Sequence, residues 1–439
     1  MRLSKLCSLI TMVLLVQACG SSESNNSSSS SGNSSSYTFT LNAVLTNSCG
    51  ITQPFTDVEL LLQDDDWSWI QSYSPDEDGT ITITTNDKNI NYTLVAKTQS
   101  GDSSEGLDIV SYYQALSSKE TTYYATYDSK VDNDTCECIT QDVLLRHRAF
   151  DNVSEAWTSL PFESWQNVSG TETVFTDVTA CRVIDEDWPL ASFMVKGTNI
   201  DNERIGSADF ITDFTQNSDE QWSVSAVEVA EEVGLSKNHQ GMVISQQFED
   251  GSHFYSTISE DDDTALLFTS HLYINEAYYH GVATQLLSES SNVYGAWSVV
   301  SEHQVTSTSY SDALAVTAST SMPNIDTVSF SELGDDGSYD YSGVKNYPMA
   351  IISFTYDYTQ MPVNWTTYGP VQGTLPTSAT LVGYDDIVNS ESYITETEVT
   401  LLKSNSTSKY SDYIEYFQSL DDDSFDAELN KYIITISLQ

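Results

Sequence analysis

A mostly β fold is what this sequence predicts, and two features of the 439-residue chain carry the prediction. Short segments in which apolar and polar residues alternate recur along it, for example "YTFTLNAVLT" at 37–46 and "KYIITISLQ" at 431–439. A period of two places apolar side chains on one face of a β-strand. Turn-forming residues separate such segments, among them the Asp-Gly pairs at 250–251 and 336–337, which are typical of hairpins. We therefore expect an N-terminal β-sandwich module followed by a larger antiparallel β-rich domain with one or two short helices.

Residues 37–149 contain the strands of the expected N-terminal module. After the first strand, "DVELLLQ", "GTITITT" and "NYTLVAK" each show alternation, and "DEDG" before Thr80 has the residues of a tight turn. "TCECITQDVLLRHR" at 135–148 is predicted to close the module with a strand that carries Val143 and Leu145. We accordingly place a domain boundary at the end of this module.

The larger domain, residues 150–439, is also expected to be β-rich, and it is long enough for two subdomains. Further strands are predicted at "AVTAST", "MAIISFTYDY" and "ESYITETEVTLL". "VSAVEVAEEVGLS" is predicted as a helix, because its apolar residues have nearly helical spacing and Gly234 stands where a helix would end. "YSDYIEYFQSL" at 410–420 is the second predicted helix.

The order of segments in residues 37–98 resembles a known family of modules. "SPDEDGTITI" leads into "NYTLVAKT", as in the carboxypeptidase-regulatory-like or transthyretin-like β-sandwich of bacterial surface proteins. The resemblance implies a binding or spacer module without catalytic activity.

The charge of the chain is strongly one-sided. It has 16 Lys and Arg residues against 64 Asp and Glu residues, which gives a formal net charge of −48 at pH 7. A field of this sign repels phosphate backbones, so the composition excludes a nucleic-acid partner. The aspartate runs at 64–66, 261–263 and 421–423 are expected to be solvated surface.

The N-terminus has the features of a secretory leader. Arg2 and Lys5 precede an apolar run that is too short to span a membrane. The sequence "VQAC" that follows resembles the lipobox of bacterial lipoprotein precursors. That resemblance implies a signal peptide of residues 1–18, cleaved before Cys19, and a lipid on the Cys19 thiol. Gly20, in place of an aspartate, implies sorting to the outer membrane.

Residues 19–36 are expected to form a tether behind the lipid. The stretch "SSESNNSSSSSGNSSS" has no apolar residue, so ordering it would cost conformational entropy with no burial in return. Lipid, tether and folded body together predict a protein anchored to the bacterial outer membrane, facing the periplasm or the surroundings. Its expected partners are the membrane, through the lipid, and a surface ligand, a glycan or an envelope protein.

Four cysteines belong to the body: Cys49, Cys136, Cys138 and Cys181. An even number in an oxidising envelope predicts two disulfides. Cysteines two residues apart pair only with strain, so Cys136 and Cys138 are expected to bond separately to Cys49 and Cys181. One bond would then join the two expected domains. A four-thiolate metal site is the alternative, which the narrow spacing disfavours.

Two patterns are candidates for metal binding. Asp76 and Asp78 lie in "PDEDGTITI", a fragment of a calcium-binding loop that lacks the distal glutamate of an EF-hand. Calcium is the cofactor that suits such a loop, and an acidic hairpin tip is the alternative. His271 and His280 would lie opposite each other if residues 275–276 formed a two-residue turn. Two facing imidazoles can share a divalent metal, and an exposed His/Tyr stripe is the alternative.

No specific catalytic motif is present, since GxSxG, HExxH and a phosphate-binding glycine loop are all missing. We therefore expect a non-enzymatic lipoprotein that binds a ligand or a partner, or that has a structural role in an envelope assembly. The alternative is a glycan-active envelope enzyme with paired carboxylates. Two carboxylates in an aromatic-lined cleft would favour the enzyme, and a flat aromatic surface would favour the binder. Tryptophans that could stack on sugars, unless they are core residues, are Trp157, Trp165, Trp188, Trp222, Trp297 and Trp365.

Overall fold

The computed structural model describes residues 36–101, 103–211, 214, 222–226, 228–234, 242–247, 253–258, 264–268, 279–292, 295–323, 337–357, 361–384, 386–388, 392–405, 407–419 and 428–438. Most of these residues lie in β-strands, which confirms the predicted β-rich fold. Residues 1–35, which include the expected signal peptide, Cys19 and nearly all of the expected tether, lie outside the described residues.

The first strands are β1 (Tyr37–Thr46), β2 (Thr52–Pro54), β3 (Val58–Gln63), β4 (Trp69–Tyr73), β5 (Thr80–Thr85), β6 (Asn89–Thr98), β7 (Gly106–Leu116), β8 (Glu120–Tyr124) and β9 (Cys136–Arg146). The next are β10 (Asn152–Thr158), β11 (Ser164–Ser169), β12 (Glu172–Val183), β13 (Ala191–Thr198), β14 (Arg204–Ile211), β15 (Trp222–Ser225), β16 (Glu228–Gly234), β17 (Met242–Gln247), β18 (His253–Ile258) and β19 (Thr264–Leu267). The last are β20 (Tyr279–Asn292), β21 (Gly295–Ser307), β22 (Ser338–Asp340), β23 (Met349–Asp357), β24 (Val363–Pro370), β25 (Gln372–Thr374), β26 (Tyr393–Ser404) and β27 (Glu428–Leu438). The α-helices are α1 (Tyr310–Ala313) and α2 (Tyr410–Ser419), and short 3-10 turns lie at Asp128–Lys130 and Ser378–Thr380.

Twelve strands form the largest sheet, in the order β18-β17-β20-β21-β27-β26-β23-β24-β7-β6-β3-β4. Neighbours are antiparallel except β24 and β7, which pair in parallel with Val363 opposite Leu107. This pairing joins the expected N-terminal module to the C-terminal part of the chain, so the sheet continues across the boundary that we expected after residue 149. An unpaired β7 edge would expose backbone hydrogen-bonding groups, and β24 pairs with them.

A four-stranded sheet packs on the β7-β6-β3 end of the large sheet and forms the N-terminal β-sandwich. β1 is at its centre, antiparallel to β2 and β5 and parallel to β8. Phe39 of β1 shares a core with Leu60 and Tyr92 of the large sheet. α2, at the position of the second predicted helix, adds the fully buried Tyr413 and Ile414 to this core.

A five-stranded sheet, β10-β13-β14-β16-β19, has both faces covered. On one face Phe193 contacts Phe175 of a four-stranded sheet, β11-β12-β9-β15, with ring centroids 5.4 Å apart. On the other face Met194 shares a core with Phe254 of β18, an edge strand of the twelve-stranded sheet. Successive residues of β13 point to opposite faces, so both cores are built from one strand.

Two disulfides are present, as predicted: Cys49–Cys136 and Cys138–Cys181. Cys138 and Cys181 are directly opposite each other in the antiparallel pairing of β9 with β12. Cys49 lies in the turn between β1 and β2, so its bond joins the N-terminal sandwich to the start of β9. Of the two bonds, Cys138–Cys181 crosses the boundary that we expected after residue 149, whereas Cys49–Cys136 lies within residues 37–149.

The strand that we expected to close the N-terminal module is β9, and it belongs to a different sheet. It pairs with β12 and β15. Val143 and Leu145 are fully buried, but in the core that contains Phe175 and Val224. The alternation of β9 was visible in the sequence, whereas its partner strands were not.

The helix prediction at residues 224–236 is wrong, because β15 and β16 occupy the described part of this segment. Val224 pairs in parallel with Leu145, and Ala230 pairs with Gly206 of β14. Valines are stiff at χ1 and suit a pleated surface, so two neighbouring strands outweigh a weak helical period. Gly234 is the last residue of β16 and is not a helix cap.

The strand prediction at "AVTAST" is also wrong, although the alternation that suggested it is real. Leu314 and Val316 are buried and Thr317 is exposed, yet the segment joins no sheet. It lies across the face of β21, where the Ser319 carbonyl accepts a 2.5 Å hydrogen bond from the Ser301 hydroxyl. We call residues 314–321 the strap.

The turn predicted before Thr80 is present. Gly79 has a φ of +76° in the predicted turn before Thr80, and a side chain there would collide with the Ala43 carbonyl oxygen. Gly337 has a φ of +66° just before β22. Asp336 and the pair at 250–251 lie outside the described residues.

Candidate functional site

A groove follows the line where β18 covers the five-stranded sheet. It consists of two adjoining cavities of about 270 Å³ and about 40 Å³, which share Glu155 and Lys196. We call it the Tyr255 groove and define it by Glu155 and Trp157 of β10, Met194 and Lys196 of β13, Arg204 of β14 and Tyr255 of β18.

An ion pair lies at the junction of the two cavities. Nζ of Lys196 is 2.6 Å from Oε2 of Glu155, and it donates a 3.2 Å hydrogen bond to the backbone carbonyl of Tyr255. β10 has a bulge between Val153 and Glu155, which sets Glu155 directly opposite Lys196. Bulges re-aim a side chain in this way. The carboxylate in the groove is therefore neutralised by an adjacent ammonium group.

The smaller cavity is mainly apolar. Met194 and Phe254 are buried at its floor, and Trp157 is half-buried in its wall. Tyr255 is 50% exposed at its rim. Aromatic rings that keep one accessible face can stack on a flat apolar surface of a ligand.

A second ion pair lies beside the larger cavity. Nε of Arg204 is 2.9 Å from Oε1 of Glu232, and Nη2 donates a 2.9 Å hydrogen bond to the Thr264 hydroxyl. The hydroxyl side chains of Ser256 and Thr257 line the same cavity. Both cations of the groove thus lie next to a carboxylate, and the groove adds no net charge.

No family model matches the chain, and no curated protein or solved structure is significantly similar to it. The Tyr255 groove must therefore be interpreted from its own chemistry. In the part of the chain that the structure describes, no helix is long and apolar enough to cross a membrane.

The predicted calcium ligands lie in the exposed turn between β4 and β5, two strands that belong to different sheets, so the turn is not the hairpin tip that we considered as the alternative. Oδ1 of Asp76 accepts hydrogen bonds from the backbone N–H groups of Asp78 and Thr80, at 3.0 and 2.9 Å. Such bonds stabilise the turn itself. Within the described ranges, no three or more His, Cys, Asp or Glu side chains are placed to hold a metal ion. A calcium site at Asp76 and Asp78 stays a prediction.

The predicted histidine pair is only half described. His280 lies opposite Ser245 of β17 on one side and Thr306 of β21 on the other. Its Nδ1 is 2.8 Å from the Thr306 hydroxyl. At His280, β20 therefore pairs with β17 and β21, and not with the segment around His271 that we expected as its hairpin partner. His271 itself lies outside the described residues.

Two carboxyl groups, those of Glu163 and Asp177, interact directly. A hydrogen bond to Asp177, together with its charge, raises the pKa of Glu163. Asp177 has a φ of +51° at a bulge of β12, where its backbone N–H donates to Oδ1 of Asp142 over 3.1 Å. Both side chains are exposed, and the pair lies in neither cavity of the groove.

The tryptophans divide into core and surface residues. Trp222 and Trp365 are buried, while Trp157, Trp165 and Trp188 are half-buried. Trp297 is 36% exposed beside a shallow cavity of about 400 Å³, which is lined by serine and threonine hydroxyls and one carboxylate, Glu289.

Sequence reasoning missed most of the groove, and Trp157 alone was named as a candidate. The groove residues come from strands that are far apart in the sequence and meet only through the packing of β18. One signal was available: Lys196 and Arg204 flank one tight turn in a chain with few cations.

Proposed function

We propose that this protein is a lipid-anchored lipoprotein of the bacterial outer membrane whose body binds a ligand, without catalysis, in the Tyr255 groove. The observation that carries the binding proposal is the groove's aromatic rim beside a carboxylate that Lys196 neutralises. General acid–base chemistry with carboxylates needs two groups with separate proton affinities. In the Tyr255 groove, by contrast, the same single carboxylate, Glu155, lines both cavities.

The anchoring proposal rests on the leader and on the lipobox-like "VQAC" that ends in Cys19. We expect Cys19→Ser to leave a precursor that does not incorporate labelled palmitate. The control is Cys49→Ser, which breaks the Cys49–Cys136 disulfide but leaves the lipobox intact. Equal labelling of the wild type and Cys19→Ser would contradict the anchor.

Binding and catalysis can be separated in one experiment. Envelope extract is passed over immobilised wild-type and Tyr255→Ala protein, and new reducing ends are measured in the flow-through. We expect some components to be retained by the wild type and less by Tyr255→Ala, with no increase in reducing ends.

The alternative is the glycan-active envelope enzyme, and the interacting Glu163–Asp177 pair is the observation that favours it. In that case reducing ends would accumulate over the wild type and not over Glu163→Gln. Such a result would contradict a non-enzymatic role.

A further inference from the structure

We propose that the Tyr255 groove takes an uncharged saccharide, as one segment of a longer chain. This inference rests on the proposed binding function and names the ligand class of the same groove. Three properties of the groove carry it: unused hydrogen-bonding capacity at the ion pair, an apolar wall beside that pair, and the absence of net charge.

The ion pair at Glu155 and Lys196 can hold a pair of neighbouring hydroxyl groups. An ammonium group has three donors, and Lys196 uses two of them among the described residues, for Glu155 and the Tyr255 carbonyl. The Glu155 carboxylate has further lone pairs, and its side chain is 57% exposed. Because a hydroxyl both donates and accepts, adjacent hydroxyls on one ring can bind the donor and the acceptor together.

The apolar cavity complements the other side of a sugar ring. The C–H groups of a pyranose form a flat apolar face with slight positive charge, which packs on the negative face of an aromatic ring. Trp157 offers such a ring in the wall of the cavity, and Tyr255 lies exposed at its rim. A single pyranose can direct the hydroxyls at its edge toward Lys196 while one C–H face packs on an aromatic ring.

The net charge of the protein and the ion pairs in the groove favour a neutral saccharide. A formal net charge of −48 repels sulfated and uronic-acid polymers at long range. Inside the groove, Lys196 and Arg204 are paired with Glu155 and Glu232, so neither is available as an unopposed cation for an acidic sugar.

An extended peptide is the other polymer that could occupy a groove beside edge strands, and two features oppose it. Strand addition needs exposed carbonyl and N–H groups on a regular edge. The Tyr255 carbonyl of β18 already accepts from Lys196. β10 is bulged at Val153/Glu155, which interrupts its pairing register.

The size of the groove indicates a segment and not a whole ligand. Cavities that enclose a complete small molecule are on the order of 300–1,000 Å³, and the two cavities of the groove, about 270 Å³ and about 40 Å³, together reach only the lower end of that range. Binding of each segment is expected to be weak, so a longer chain would gain affinity by contacting several molecules at one surface.

The test uses the full-length protein in detergent and a panel of neutral oligosaccharides of glucose, mannose, galactose and N-acetylglucosamine, with heparin as the anionic comparison. Affinity is measured by calorimetry for the wild type, Tyr255→Ala, Lys196→Met and the control Tyr124→Ala. Tyr124 is a matched control because it is 58% exposed on β8, outside the groove. Retention of non-saccharide envelope components by wild type and Tyr255→Ala is compared in parallel.

We expect at least one neutral oligosaccharide to bind, with an affinity lowered about tenfold or more in Tyr255→Ala and Lys196→Met and unchanged in Tyr124→Ala. Heparin should not bind. If no panel member binds while Tyr255→Ala still loses retention of other components, the saccharide assignment is wrong and the binding function stands. If the wild type and Tyr255→Ala do not differ toward any component, both proposals are wrong.

Discussion

Tyr123 and Asp108 are joined across the N-terminal sandwich by a hydrogen bond of 2.7 Å, from the phenol oxygen to Oδ2. Tyr123 belongs to β8 in one sheet and Asp108 to β7 in the other. Burial raises the pKa of the Asp108 carboxyl above its ordinary value, and the bond from Tyr123 opposes that shift only in part. The sandwich thus contains an acid that is less easily ionised in the folded protein than in the unfolded chain.

Asp108→Asn is expected to raise the melting temperature at pH 7. A raised folded-state pKa means that ionisation costs stability as pH rises through it, and an amide accepts the same Tyr123 bond without that cost. The gain should vanish below about pH 4, where Asp108 is protonated in both states. Thermal unfolding at pH 3.5 and pH 7 measures it, and equal gains at both values would contradict the explanation.

The partner substitution, Tyr123→Phe, should act in the opposite direction. It removes the donor and leaves a largely buried carboxyl without it, which costs about 1–3 kcal/mol of unfolding free energy. Denaturant unfolding at pH 7 measures the loss. A change within about 0.5 kcal/mol, as at an ordinary surface position, would mean that the bond does not stabilise the sandwich.

Glu163→Gln is expected to stabilise the protein at neutral pH as well, because it replaces one member of the Glu163–Asp177 pair by an amide that can donate to Asp177. The pKa of Glu163 is raised by that pair, so the stabilisation should be lost below about pH 4. Glu77→Gln removes an equal charge from the exposed turn before β5 and is the control. Equal melting temperatures for the two variants would attribute the effect to general repulsion.

The strap is expected to depend on His303. Nδ1 of this side chain lies 3.0 Å from the Thr317 carbonyl oxygen, and Nε2 lies 2.8 Å from Oε1 of Glu428. His303→Phe removes both contacts and should cost about 1–3 kcal/mol, with faster proteolysis within the strap. Thr317→Ala keeps the carbonyl and is the matched control. Proteolysis at one rate in both variants would show that His303 does not hold the strap.

The disulfide pairing can be mapped with one additional protease. Trypsin leaves Cys136 and Cys138 on a single peptide, because no Lys or Arg lies between Val131 and Leu145. Cleavage after Glu137 with a glutamate-specific protease should release two separate pairs under non-reducing conditions. We expect Cys49 with Cys136 and Cys138 with Cys181. The exchanged pairs would contradict this structure but not the two predicted crosslinks.

Many strands could be predicted because the side chains that a strand buries on one face stand two residues apart in the sequence. Phe39 and Leu41, or Val143 and Leu145, stand two residues apart and are buried, as their spacing indicated. The segment at 224–236 failed because a short apolar pattern fits both periods, and the neighbouring strands decide between them.

The candidate site could not be predicted for a different reason. Glu155, Lys196 and Tyr255 are far apart in the sequence, and the bulge in β10 and the position of β18 bring them together. Neither feature has a clear local signature. The pairing of β7 with β24 could not be predicted either, because no local sequence pattern indicates it.

The parallel pairing of β7 with β24 also determines how late in folding the large sheet can be completed. β7 has one partner, β6, within a few residues, whereas β24 follows about 250 residues later, and contacts of such separation form slowly. In a chain that is exported N-terminus first, as we propose, one edge of β7 remains open until nearly the whole polypeptide has crossed the inner membrane. An open strand edge invites pairing with other chains. This topology therefore makes the chain prone to aggregation during export, until β24 pairs with the open edge of β7.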